Sequence, residues 1–265
     1  MNKNVLKLFR SVQVHFPYLQ DFKFQAQRTL RSVMDKTHEK EFELVNVFSN
    51  PANNVFVDIG ANRGDAIHSI LMRQPDCKVY AFEPNGYLAE KLNRLYGKDQ
   101  RVKIFNYGLG NATDRFDLYV PFYKNYMFDG LASFKEENAR DWLRNRLFGY
   151  SEKNLDVKKM SCQVRRLDEF NLKPCFIKMD VQGFEYEVLK GGIETIRNSR
   201  PTILMESPGH KELDLLYSLE YQPYILRGDM LRSGTKNYNV FFIPEEAVIP
   251  LQKKFQIETS PRKAA

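Results

Sequence analysis

Cysteine is scarce in this chain. Its 265 residues hold three, Cys77, Cys162 and Cys175, an odd number without metal-ligand spacing. They support neither a disulfide framework nor a thiolate metal site, and a reducing, cytoplasmic setting is the simplest reading. Long apolar runs are missing too: none approaches the ~20 residues that a transmembrane helix needs. Residues 1–10 are basic like the start of a secretory signal. However, Lys7, Arg10 and Gln13 interrupt any apolar core, and no small-residue cleavage site follows. No block of consecutive Lys/Arg is long enough for a nucleic-acid tail, so no nucleic-acid partner is expected. There is no internal repeat.

What is present is ordinary globular composition, 43% hydrophobic and 28% charged, in a chain long enough for one large core. The net charge of +7 suits an anionic substrate or surface, but equally plain solubility. Residues 1–50 read as helices. Val5, Leu8, Phe9, Val12 and Phe16 fall on one helical face, and Phe22 to Phe48 continues as helix to the Asn50-Pro51 breaker. We expect this segment to pack on the core edge; the alternative is a helix lying on a membrane surface or a partner. From Asn54 to about residue 250 short apolar runs alternate with helical stretches, as βαβ units demand. Strands are expected at Val55–Ile59, Val79–Phe82, Val102–Phe105, Phe176–Met179 and Ile203–Met205, with later ones at Tyr224–Leu226 and Val240–Ile243. Residues 111–174 are too long for one crossover and read as an insertion that either shapes a substrate pocket or forms a small core of its own. Residues 251–265 read as a flexible tail.

The first strand ends in Val57-Asp-Ile-Gly-Ala-Asn-Arg-Gly-Asp65. Gly60 and Gly64 bracket a tight turn into a helix, where a ligand can approach backbone. The second strand ends in Phe82-Glu-Pro84. A carboxylate at that point is placed to accept hydrogen bonds from the two ribose hydroxyls of a nucleoside. Two nucleoside ligands compete. NAD sites favour a second glycine where Asn62 stands, and Asp58 is an awkward neighbour for a diphosphate. S-adenosylmethionine carries a sulfonium and an ammonium but no phosphate, so the charges favour it.

In order along the chain stand Val55-Phe-Val-Asp-Ile-Gly-Ala-Asn-Arg-Gly64, Phe82-Glu-Pro84, Asn106-Tyr-Gly-Leu-Gly110, Gly130-Leu-Ala-Ser133, Arg166-Leu-Asp-Glu-Phe170 and Ile177-Lys-Met-Asp-Val-Gln-Gly-Phe-Glu185. This series resembles the FkbM family of methyltransferases. The resemblance implies the α/β, Rossmann-like class I methyltransferase fold: a seven-stranded, mostly parallel sheet of order 3-2-1-4-5-7-6 with helices on both faces. It also implies S-adenosylmethionine as methyl donor and a hydroxyl of a saccharide or natural product as acceptor. Asp58, Gly60, Asn62 and Gly64 would hold the methionine moiety, Glu83 the ribose, and Asn106 and Gly108 would lie near adenine. The family often has Glu where Gln182 stands.

A hydroxyl acceptor needs its proton removed or its oxygen polarised. Asp180, Glu206 and His210 follow strands four and five and are the catalytic candidates, His210 as the imidazole base. The two carboxylates could instead share Mg²⁺. His15 and His38 are given no catalytic part. An NAD-dependent oxidoreductase, or a binding module that has kept the fold without catalysis, are the other readings.

Overall fold

The computed structural model describes residues 3–48 and 54–258. The Asn50-Pro51 breaker and the last residues of the tail lie outside them. Three helices come first: α1 (Lys3–Gln13), α2 (Gln20–Val33) and the single turn α3 (Val45–Phe48). The central layer then begins with β1 (Val55–Ile59), α4 (Asp65–Arg73), β2 (Lys78–Phe82), α5 (Gly86–Tyr96) and β3 (Val102–Phe105). A second unit follows: β4 (Gly108–Leu109), β5 (Asp114–Tyr123), β6 (Tyr126–Met127), α6 (Glu136–Asp141) and β7 (Leu155–Arg165). The chain returns through β8 (Phe176–Met179), α7 (Glu185–Gly191), α8 (Ile193–Ser199), β9 (Thr202–Glu206), α9 (His210–Ser218), β10 (Tyr221–Arg227), β11 (Met230–Ser233), β12 (Asn239–Pro244), α10 (Glu245–Gln252) and β13 (Ile257–Glu258).

The main sheet runs β13-β11-β10-β12-β9-β8-β1-β2-β3. Its strands from β3 to β10 reproduce the expected order 3-2-1-4-5-7-6, with β12 antiparallel to both neighbours. The expected count of seven is short by two. The chain turns back after Arg227 to pair β11 on β10, and Ile257–Glu258, within the stretch expected to be a flexible tail, pairs with Leu231–Arg232. Phe255 and Ile257 pack on the core there, and their apolar side chains account for the pairing.

Alternation along each strand splits the core into two layers. Phe56, Phe176 and Phe241 pack with Ile67, Ile70 and the segment around Phe42 and Phe48 on one face. Val57, Ile177, Ile203 and Phe242 pack with Val188, Ile196 and Leu216 on the other. The helical stretch after β8 is two helices, α7 and α8. They meet at Gly192, where an added Cβ would lie 3.0 Å from Leu167.

The 111–174 segment, with β4 just ahead of it, builds a second sheet, β4-β7-β5-β6, around a ten-pair antiparallel ladder between β5 and β7. It also carries its own small apolar core, with Leu118, Val120 and Val164. At the amino end the expected helix over 22–48 is broken. Helix α2 stops at Val33, and Asp35 takes a left-handed conformation (φ 50°). Thr37 is then held by the Glu43 carboxylate through its amide (2.9 Å) and hydroxyl (2.7 Å). This break drops His38 and Glu39 toward the carboxyl edge of the sheet. Among the described residues no helix is long and apolar enough to cross a membrane.

Candidate active site

Two clefts meet over the carboxyl ends of β1, β2 and β8. The first lies between Phe82-Glu83-Pro84, Tyr107-Gly108-Leu109 and a roof from the inserted unit at Asp129–Phe134, and with its open mouth spans about 640 Å³. The second, open to solvent as well, spans about 820 Å³ and is lined by His38, Glu39, Lys178, Asp180, Glu206 and Asn239. Gly60, Asn62, Asp129, Gly130 and Asp180 line both, so the clefts are one continuous space with two ends. Arg63 fixes that junction. Its guanidinium, buried over the Phe24 ring, pairs with Asp129 of the roof and at 2.8 Å with Asp21 of α2.

In the first cleft Glu83 is buried, and both its oxygens are engaged. Oε2 accepts from the Asn62 amide (2.6 Å) and Oε1 from the Asn85 amide (2.9 Å). Each carboxylate oxygen can accept a second bond, so two acceptor positions remain. Burial pushes the carboxyl up to about 7, with the two amides opposing. The turn itself has few donors to spare. The amides of Gly60 and Ala61 both bond the Phe82 carbonyl at 3.0 Å, that of Asn62 bonds Glu83, and that of Gly64 bonds the Ala61 carbonyl at 2.8 Å. Gly60 is obligatory: with φ 78°, a Cβ there would stand 1.9 Å from the Asp180 carbonyl oxygen. Asn62 tolerates its own left-handed geometry (φ 48°), as Asn does better than most residues.

Three expected cofactor contacts take other parts. Gly64 (φ 81°) turns from both clefts, and a Cβ there would meet Leu92 and Tyr96 of α5, so the glycine serves helix packing. Asn106 is exposed and outside the cleft wall; with its amide nitrogen turned inward it bonds the Glu83 and Pro84 carbonyls at 3.1 and 3.3 Å. Asp58 lines neither cleft and is fully buried. It sits in register with Lys178 on β8, whose Nζ stands 3.4 Å from Oδ1. Among the described residues no shorter partner reaches either Asp58 oxygen. Burial raises the Asp58 carboxyl, with Lys178 opposing. Lys178 bonds the Gly60 carbonyl at 2.9 Å and approaches Asp180 at 3.8 Å, so one ammonium stands between the buried carboxylate and the cavity wall. Burial works against the Lys178 charge, yet Asp58 and Asp180 outweigh it and hold the proton on.

The second cleft gathers carboxylates. Glu206 meets Asp180 and the Tyr238 hydroxyl; burial first, then the Asp180 charge, pushes its carboxyl well above the usual glutamate range. Gln182 donates to Asp180 Oδ1 at 2.7 Å, where a glutamate would add a further like charge. Burial also raises Glu39, which accepts from Asn239 at 3.1 Å. Glu185 serves the loop below, accepting from the Val181 and Gly183 amides at 3.1 and 3.3 Å. Among the described residues no group of three or more His, Cys, Asp or Glu side chains converges as a metal site.

His210 opens α9 in solvent and lines neither cleft, so the imidazole expected as base stands outside the carboxylate-rich second cleft. The histidine that does reach it is His38, one that sequence reasoning set aside. Ser69 Oγ donates to the Asp65 carbonyl (3.0 Å) and therefore accepts from the His38 amide (3.1 Å) and Nδ1 (2.9 Å). That network assigns the proton to Nδ1 and leaves the Nε2 lone pair free, 3.6 Å from Glu39. Burial, helped by Lys178 and Arg31, lowers the imidazole to about 3, so it stays neutral. No motif marks position 38; only the helix break brings it in.

The family model for the methyltransferase FkbM domain matches residues 58–224. The chain is 28% identical over 214 residues to the 2-O-methyltransferase NoeI of Sinorhizobium fredii, covering 73% of this chain and 84% of that protein. It is also 28% identical over 227 residues to the AMB antimetabolite synthetase AmbE of Pseudomonas aeruginosa, where the match spans 73% of this chain but 10% of that far longer protein. Among solved structures, a methyltransferase FkbM from Methylobacillus flagellatus aligns at 18% identity and TM-score 0.43, over 72% of this chain and 43% of the other.

Proposed function

Because this chain belongs to the FkbM methyltransferase family, we propose that it transfers a methyl group from S-adenosylmethionine to a hydroxyl of a saccharide or small natural product. The observation that carries the donor assignment is the economy of the turn after β1. The amides of Gly60, Ala61, Asn62 and Gly64 are used inside the protein, so the glycine turn itself keeps few donors for the diphosphate of a dinucleotide. That argues against the NAD reading. Glu83, in contrast, keeps one free acceptor position on each oxygen, which matches a pair of ribose hydroxyls. Phe82, Pro84, Tyr107 and Leu118 offer apolar surface for a base. Gly130 leaves open space at the junction, its nearest neighbour being Asn62 Nδ2 at 3.9 Å from an added Cβ.

When bound, S-adenosylmethionine supplies a methyl carbon already activated by its sulfonium. The protein's own task is positioning and proton removal. The acceptor hydroxyl would lie in the second cleft, donating to His38 Nε2 or Glu206. A neutral imidazole lowered to about 3 is a weak base, so His38 orients the oxygen. Glu206, raised by burial and by Asp180, is the better match for taking the proton. Lys178 steadies the negative charge gathered there. The 2-O-methyltransferase relative supports an oxygen acceptor.

The test is transfer of radiolabelled methyl from the donor across saccharide, lipid-glycan and small-alcohol pools. We expect label in a hydroxyl-bearing acceptor. A chain that binds S-adenosylhomocysteine but labels none of the pools is a binding module with the fold alone.

A further inference from the structure

Helix α1 is inside out. Its apolar stripe faces solvent, with Val5, Leu8, Phe9 and Val12 all between 51% and 57% exposed. Its polar stripe faces the protein: Ser11 accepts from the Phe148 amide at 2.7 Å, and Gln13 meets the Tyr126 hydroxyl at 3.3 Å. The inward polarity has a local reason. Arg10 and Gln13 wall a cleft of about 800 Å³ that reaches Gln182 and Tyr238 beside the candidate active site, and a water-filled wall favours polar residues. Among the described residues nothing covers the outward apolar face. It continues past the turn, where Tyr18 is 73% exposed, onto α2, where Phe22 and Val33 are 70% and 79% exposed. Lys23 reaches from α2 over the Phe9 ring at 5.6 Å, so the two stripes adjoin.

The charge of this segment is equally one-sided. Residues 1–36 carry seven Lys/Arg against Asp21 and Asp35, a net +5 of the chain's +7, and α1 holds no acid at all. Apolar stripes with aromatic residues and flanking cations are what an interfacial helix pair presents to acidic head groups. Two copies meeting through this face would instead bring like charge together.

We propose that α1 and the outer face of α2 dock this protein on an anionic lipid surface. Leu8, Phe9 and Phe22 enter the acyl boundary while Lys23, Lys36 and their neighbours meet the head groups. The surface lies beside the Arg10–Gln13 cleft, so a docked molecule holds the mouth of that cleft at the interface. The inference rests on these helices and stands whether or not the donor assignment holds.

The experiment is flotation of the full chain with vesicles of equal parts phosphatidylcholine and phosphatidylglycerol, alongside phosphatidylcholine alone. We expect binding to the mixed vesicles, weakened by added salt and on the order of tenfold weaker in a Leu8→Ser, Phe9→Ser variant. Both positions are exposed, so thermal unfolding should be unchanged in the variant. Absence of flotation, equal flotation on phosphatidylcholine alone, or full flotation of the variant would each overturn the proposal. So would a concentration-dependent dimer in sedimentation that the variant abolishes, since that assigns the face to a second copy.

Discussion

The two ends of the site differ in how they handle charge. Away from the shared junction, where Asp129 and Asp180 stand, the first cleft has Glu83 as its carboxylate, held by backbone amides beside apolar walls. The second packs Glu39, Asp180 and Glu206 around a single buried ammonium, Lys178, itself tied to Asp58. A lone, well-bonded carboxylate is a recognition device, because it stays in place and waits for hydroxyl donors. A crowd of carboxylates in one dielectric pocket cannot all ionise freely, and the proton affinity of at least one must rise. The comparison supports the proposal that one end binds the donor and the other handles the proton.

The sharpest way to break that division is Glu206→Gln, for which we expect loss of about 10²–10⁴ in turnover. S-adenosylhomocysteine affinity should stay unchanged by calorimetry. Weakened binding instead would merge the two ends into one function. Gly60→Ala attacks the shared wall. With the Cβ driven to 1.9 Å from the Asp180 carbonyl at φ 78°, we expect about 3 kcal/mol of lost stability in urea unfolding, and losses of both binding and turnover.

Titration separates the ends more gently. On the proposed donor contact ribose hydroxyls would donate to an ionised Glu83, so binding below its raised value of about 7 would release a proton. Affinity for S-adenosylhomocysteine should fall by up to about tenfold per pH unit from pH 7 to 5 and flatten above neutrality, and Glu83→Gln should remove the slope. The sign for the empty protein is opposite. Glu83 binds its proton more tightly folded (about 7) than unfolded (4.5), so its contribution to stability is complete below 4.5 and fades as pH rises through 7. The smallest expected effect is His210→Ala: under 0.5 kcal/mol in unfolding and no change in turnover, because the side chain is exposed and touches neither cleft.

The same division explains what the sequence made legible. The first cleft is built from contiguous strand-turn motifs, where Gly60, Asn62 and Glu83 are fixed by local backbone requirements, so spacing alone locates them. Asp180 and Glu206 are also strand ends and were readable as such. His38 and Glu39 were not, since they arrive through a helix break that Asp35 and the Thr37–Glu43 contacts impose against a continuous helical pattern. Gly64 and Asn106 sit inside motifs yet serve packing and strand-end bonding, because a motif marks a turn without saying which side of it faces the ligand. The stripe on α1 had the period of a core-facing helix, and period gives a face but not its direction. The two extra strands, β11 and β13, depend on a short turn and a two-residue pairing, and their few apolar residues are too short a run to mark a strand in the sequence.

Calorimetry of the wild-type chain and Glu83→Ala with S-adenosylhomocysteine, and of the wild type with NADH, tests the central claim most directly. The expected result is binding of S-adenosylhomocysteine but not NADH, weakened by about 2–3 kcal/mol in the variant. Preference for NADH, or unchanged affinity in Glu83→Ala, would contradict it.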